Sequence, residues 1–171
     1  MKTLTASIAL ALTLAAPVAA QEVFPLGTFG AWDTDLIVQP DGSMACAMRS
    51  VNEMNDAVGI YASANVITFA MVIDVPSPGT FRADVTVDID YQRFPLGDAD
   101  FAPSPGGTTG IAFGFYPSDA VDFLTALGRG SALSLKSVDT LDTVATWSLK
   151  GTRSAIISVN ECYKRISGEA L

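Results

Sequence analysis

The sequence predicts a β-rich α+β domain, an antiparallel β-sandwich or half-barrel carrying two covering helices. Three observations lead there. Residues 80–91 (TFRADVTVDIDY) alternate strictly, with Phe81, Ala83, Val85, Val87, Ile89 and Tyr91 on one face and Arg82, Asp84, Thr86, Asp88 and Asp90 on the other. That period marks a half-buried antiparallel strand. Short apolar β-type runs bounded by Pro, Gly and Asp turns recur over most of the chain. Only two stretches, near 119–127 and 152–166, carry helical periodicity after the first 20 residues.

Those first 20 residues read as a secretory leader. Lys2 is followed by the apolar run IALALTLAA at 8–16, and Val18 and Ala20 place small residues for cleavage before Gln21. The run is shorter than the roughly 20 residues a bilayer span needs. Cleavage there would leave one domain, 21–171, with 151 of the 171 residues. Lys2 is one of the ten basic residues, so nine would remain against eighteen acidic ones, a net charge of −9. Such a surface repels nucleic acid and anionic lipid. The expectation is a periplasmic or secreted protein.

Cys46 and Cys162 are the two cysteines. An even count in an oxidising compartment predicts a disulfide, closing a loop of more than a hundred residues. A redox pair is disfavoured because no C-x-x-C is present.

In chain order, residues 21–30 read as an extended lead-in. Residues 32–38 form a strand, Pro40-Asp41-Gly42 a turn, and 43–50 its hairpin partner, with Met44, Cys46 and Met48 on one face. Residues 52–57 are a polar loop. Two further strands lie at 59–64 and 66–75, ended by Pro76. After the alternating strand, residues 92–107 are rich in Pro, Gly and Asp and read as a long loop. A strand at 109–116 precedes a helix at 119–127, with Ser118 as N-cap, Ala120, Phe123, Leu124 and Leu127 as its apolar stripe, and Gly128 as its stop. Strands at 131–138 and 141–150 follow. The last helix begins at 152–154 and aligns Ala155, Val159, Cys162, Tyr163 and Ile166 on one stripe, which turns Cys162 inward.

The chain contains no histidine, which removes Ser-His-Asp and Cys-His nucleophile systems and the usual zinc and haem ligand sets. No phosphate-binding glycine loop is present. No cofactor is expected. Asp84, Asp88 and Asp90 share one strand face on which successive residues lie about 7 Å apart, a spacing at which two carboxylates could flank a substrate such as a glycan, although a solvated face accounts for them more simply. Asp98 and Asp100 fall short of the six to eight oxygens of a calcium loop. The aromatic and basic residues at 91–107 suit a partner contact, with Tyr91, Arg93, Phe94 and Phe101 as the candidates; the alternative is that Phe94 and Phe101 plug one end of the sandwich.

Three segments carry a family resemblance: Phe29-Gly30-Ala31-Trp32 ahead of Cys46; residues 122–130 (DFLTALGRG) leading into 131–135 (SALSL); and Trp147-Ser148-Leu149-Lys150-Gly151 before the last helix. Together they resemble the invasion-associated locus B family of small exported bacterial proteins, although that family usually carries further cysteines in its middle. The resemblance implies a β-sandwich fold and a non-enzymatic envelope protein, in some members tied to host-cell invasion. It transfers no functional residue. The expected function is therefore binding of an envelope protein or small ligand. A carboxylate-dependent glycan-acting enzyme using Asp88 and Asp90, and a structural envelope protein, are the alternatives.

Overall fold

The computed structural model describes residues 21–168 except 65, 77–78, 105 and 138–141. The leader at 1–20, and one end of each strand expected at 131–138 and 141–150, lie outside the described residues.

The described residues form ten strands and two helices: β1 (Glu22–Phe29), β2 (Trp32–Val38), β3 (Met44–Val51), β4 (Ala57–Ala62), β5 (Ile67–Ile73), β6 (Phe81–Ile89), β7 (Gln92–Pro103), β8 (Thr109–Phe115), α1 (Val121–Arg129), β9 (Ala132–Lys136), β10 (Thr143–Ser148) and α2 (Thr152–Ser167). The strands make one sheet in the order β1-β2-β3-β4-β5-β8-β7-β6-β9-β10, antiparallel at every pairing. Five strands form a meander. The β6–β7–β8 meander then runs back, so that β8 pairs β5 and β6 pairs β9. The crossing from β8 to β9 is made by α1.

The sheet bends until its last strand lies along the ends of its first ones. The Ala31 amide donates to the Lys150 carbonyl at 3.0 Å, and Trp32 Nε1 to the Ser148 carbonyl at 3.2 Å. Trp147 Nε1 donates to the Asp56 carbonyl at 2.9 Å, and Asn52 Nδ2 to the Thr146 carbonyl at 3.2 Å. Both tryptophans are buried within one core that draws on β2 to β10 and both helices. This is the sandwich or half-barrel with two covering helices that the periodicities predict.

Two segments differ from the sequence expectation. Residues 22–29 are an edge strand paired with β2, with Leu26 bulged out of register after Pro25. Residues 92–103 are strand rather than loop, the long hairpin partner of β6. Proline and glycine misled the reading there because a bulge absorbs them. Pro95 lies opposite Thr86, Gly97 opposite Val85 with φ at 77°, and Leu96 between them has no register partner. A bulge is where an interior proline is tolerated. Pro103 ends the strand. The turn falls at Asp90 and Tyr91, so Tyr91 is fully exposed at the tip instead of continuing the buried face of β6.

Helix α1 starts two residues later than expected. Its first turn has no side-chain cap, and the Ser118 hydroxyl donates to Asp119 Oδ1 instead. It runs through Gly128 and stops at Gly130, whose amide donates to the Ala126 carbonyl at 2.8 Å. A Cβ at Gly130 would lie 2.5 Å from Ile89 Cγ2, so packing demands glycine there. Phe123 anchors α1 in the core, edge-on to Phe69 at 5.2 Å and Phe94 at 5.6 Å.

Helix α2 lies across β1 to β3 and alongside α1. Its buried stripe includes Ala155, Val159, Cys162 and Tyr163. Cys162 is bonded to Cys46 across 116 residues, with Cα atoms 5.9 Å apart. The Ser158 and Thr34 hydroxyls share a 3.1 Å hydrogen bond, and Tyr163 Oη donates to the Ala64 carbonyl at 3.1 Å. The helix enters through Gly151, at φ 93°, pressed against the hairpin turn between β1 and β2. A Cβ on Gly151 would lie 2.0 Å from the Phe29 carbonyl oxygen, and one on Gly30 would lie 2.4 Å from the Lys150 carbonyl oxygen.

Gly151→Ala combines left-handed strain with a backbone clash and will cost on the order of 3 kcal/mol in urea unfolding. Gly42→Ala, at φ 82° but with open space around it, will cost about 1 kcal/mol. Equal effects at both sites would mean that the junction yields. Replacing both cysteines with serine will lower stability by up to about 4–5 kcal/mol in the chain-entropy account, read in the same experiment.

Candidate functional site

Of the carboxylates singled out in the sequence, Asp88, Asp90, Asp98 and Asp100 are engaged by neighbouring groups, and Asp84 is exposed. Asp88, on the outer face of β6, pairs with Arg93 Nε at 3.1 Å and with Lys136 Nζ at 3.8 Å. The Asp88 hydrogen bond holds the Arg93 guanidinium still more firmly protonated than usual. Lys136 also donates to Thr143 Oγ1 at 2.7 Å, and Ser134 and Thr146 share a hydrogen bond alongside. The result is a polar ladder across β7, β6, β9 and β10. Asp90 is engaged differently. Its carboxylate accepts from the backbone amides of Ser131 and Ala132 at 3.0–3.1 Å while its own amide donates to the Ala132 carbonyl. This clamp holds Asp90 at φ 51° and ties the β6–β7 turn to the start of β9. Asp98 and Asp100 flank Arg82, at 3.2 and 3.0 Å. No cluster of three or more metal-ligating side chains occurs among the described residues.

The four candidate contact residues are dispersed along one hairpin. Tyr91 stands free at the tip, and Arg93 is held by Asp88. Phe94 packs on Phe123, and Phe101 stacks on Phe81 at 4.6 Å, with both half-buried against the core. The two phenylalanines thus pack against the core from opposite ends of β7 rather than together at one end of the sheet.

The sequence did not disclose the cleft between α1 and α2. It holds about 460 Å³ and is lined on α1 by Val121, Leu124, Thr125, Gly128 and Arg129, and on α2 by Arg153, Ile156, Ile157 and Asn160. The stripe that buries Phe123 and Leu127 leaves Leu124 half-buried as floor, facing Ile156. Val121 and Ile157, each more than half exposed, stand along the cleft. A second cleft, of about 620 Å³ on the other side of α1, is bordered by Tyr91, Gln92, Asp122 and Arg129.

Two features of the first cleft are unfavourable locally. Gly128 sits inside a helix, where it costs about 1 kcal/mol relative to Ala. Packing does not require it, because a Cβ there would meet Ile156 Cδ1 at an ordinary 3.6 Å. Arg153 occupies the first turn of α2, a turn with no acidic residue, where the helix dipole disfavours a cation. Arg49, Arg82, Arg93, Lys136 and Lys164 each pair with a carboxylate. Arg129 and Arg153, both exposed, are in no ion pair among the described residues, and neither are the exposed Lys150 and Arg165. Reading Gly128 as a helix stop hid the cleft, since only the α1–α2 packing brings 128 beside 153 and 156.

The architecture defines a class: a single bent antiparallel sheet covered by a disulfide-tethered C-terminal helix and a short crossing helix. Among solved structures the chain is similar to invasion associated protein B from Bartonella henselae, with a TM-score of 0.56 over 81% of this chain and 97% of that chain, at 19% identity. The shared fold is the one that the resemblance of the three segments implies. No protein-family model matches the sequence, and no curated protein matches it either.

Asp90→Ala removes the acceptor of two backbone amides and will cost about 1–3 kcal/mol in thermal or urea unfolding. Asp84→Ala, at an exposed position on the same strand, will stay within about 0.5 kcal/mol. A neutral Asp90→Ala would remove the structural role assigned to the clamp.

Proposed function

We propose that the chain is a non-catalytic, exported binding protein of the cell envelope, whose contact end is formed by α1 with the clefts on either side of it. The observation that carries this reading is the engagement of the carboxylates. Asp88 is spent in two ion pairs and Asp90 in a backbone clamp, so neither is placed to exchange a proton with a bound substrate. The leader-like first 20 residues and the Cys46–Cys162 bond support passage into an oxidising compartment. The likeness in fold to an invasion associated protein fits a non-enzymatic envelope role. No helix among the described residues is long and apolar enough to cross a membrane.

The test uses the full chain in cells of a bacterial host, with a photoreactive phenylalanine analogue in place of Thr125 in the cleft, Tyr91 at the hairpin tip, or Thr68 on the outer face of β5. A discrete adduct with an envelope component is expected from Thr125 or Tyr91 and none from Thr68. Equal labelling from all three positions, or glycan cleavage by the purified protein that Asp88→Asn abolishes, would overturn the proposal.

A further inference from the structure

We infer that the cleft between α1 and α2 is the docking groove for a short acidic amphipathic helix presented by a protein partner. The inference rests on the binding role proposed above and names the chemistry of what is bound.

The groove has the two elements such an occupant needs. Its floor is apolar, built from Leu124, Ile156 and the bare backbone at Gly128, with Val121 and Ile157 exposed beside it. Two guanidiniums, Arg129 and Arg153, also line it, each without a carboxylate partner among the described residues. The two guanidiniums stand beside exposed apolar side chains, so a carboxylate-rich, apolar-faced segment would find both a charge and an apolar complement there. Helix-in-groove recognition uses anchors at i, i+3, i+4 and i+7. A nine-residue α1 offers a trough of about 13 Å, matched by two to three turns of a partner helix.

Gly128 supports the same occupant. Glycine there weakens α1, and the neighbouring helix leaves ordinary room for a methyl group. Its missing side chain leaves a methyl-sized recess in the floor beside Ile156, and a larger side chain there would fill the trough. A single acyl chain in so open a trough would leave much of its surface in water, whereas small-ligand sites bury most of their ligand. A helix would cover the floor and the flanking Val121 and Ile157 together. Neither helix of this chain can serve as the occupant in a second copy. Phe123 and Leu127 of α1 are buried in its own core, and α2 carries Arg153, Lys164 and Arg165 along its exposed side.

The test is fluorescence anisotropy with the disulfide-bonded protein lacking residues 1–20. The probe is a labelled peptide of about 14 residues, with leucine at i, i+3, i+4, i+7 and i+11 and glutamate at most other positions. A matched peptide carrying lysine in place of glutamate is the control. The glutamate peptide is expected to bind saturably, at least about tenfold tighter than the lysine peptide, and more weakly as salt rises. The double variant Arg129→Gln/Arg153→Gln should lose about tenfold in affinity together with most of the salt dependence. Gly128→Met should plug the floor and lose a similar amount, while Gly128→Ala keeps most of the binding and melts no lower than the parent.

Equal binding of both peptides, or indifference to the arginine pair in variants that melt like the parent, overturns the inference. So does one-to-one binding of laurate in place of the peptide, which would assign the groove to anionic amphiphiles. A cross-link from Thr125 combined with arginine-independent peptide binding would remove the acidic helix and leave the binding role standing. Loss of every cross-link would remove the role itself.

Discussion

The contact on which the architecture depends is backbone against backbone: the turn at Gly30 packed on the turn at Gly151. The two glycines, at φ 63° and 93°, meet with no room for a β-carbon on either side. Their contact joins the first hairpin of the sheet to the segment between the last strand and the last helix, and the Ala31 amide seals it on the Lys150 carbonyl. Open sheets of this many strands curl or split into packed layers. Here the junction sets where the curl ends. With it in place, Trp32 and Trp147 enter the core, each with its indole N–H on a carbonyl, and α2 begins at an angle that carries Cys162 over Cys46.

The three segments that resemble the invasion-associated locus B family converge on this point. Phe29-Gly30-Ala31-Trp32 supplies one side, and Trp147-Ser148-Leu149-Lys150-Gly151 the other. The third segment arrives through Gly130, wedged against Ile89 and Leu149, and through the Ser131 carbonyl, which accepts from the Leu149 amide at 2.9 Å. Backbone-to-backbone contacts of this kind tolerate few residue types, so they can persist when a fold is kept at 19% identity. The resemblance therefore speaks for architecture. It transfers no binding residue, although Leu124, Thr125, Gly128 and Arg129 of the α1–α2 cleft lie within the second of the three segments.

What could be read in advance followed from periodicity and cysteine arithmetic. The alternation at 80–91 located β6 and its buried face, and the helical spacing of Ala155, Val159 and Cys162 placed the second cysteine inward, where the disulfide requires it. The 92–107 segment was misread because local turn chemistry and tertiary pairing disagree there. Pro95 and Gly97 argue for a loop, while hydrogen bonding to β6 on one side and β8 on the other makes a strand, with the bulge reconciling the two. The end of α1 was misread for a related reason. Gly128 and Gly130 are equivalent as local stop signals, and only the contact of residue 130 with Ile89 and Leu149 decides between them. The cleft was invisible because its walls are more than twenty residues apart and meet only through α1–α2 packing.

The way α2 is held explains how the cleft can contain locally unfavourable residues. The helix is fixed near its start by the glycine junction, in its middle by the Ser158–Thr34 hydrogen bond, and near its end by the disulfide and Tyr163. Phe123 and Leu127 fix α1 independently in the core. With both walls anchored from their buried sides, the outward-facing positions between them are free of structural duty. A helix-interior glycine and an arginine at the wrong end of a helix dipole are tolerable under those conditions, where a marginal helix would fray. Anchoring from behind also means that the groove exists before anything enters it. Ordering costs on binding are then confined to the incoming segment and a few surface side chains, so even a small apolar contact steered by two cations can be selective.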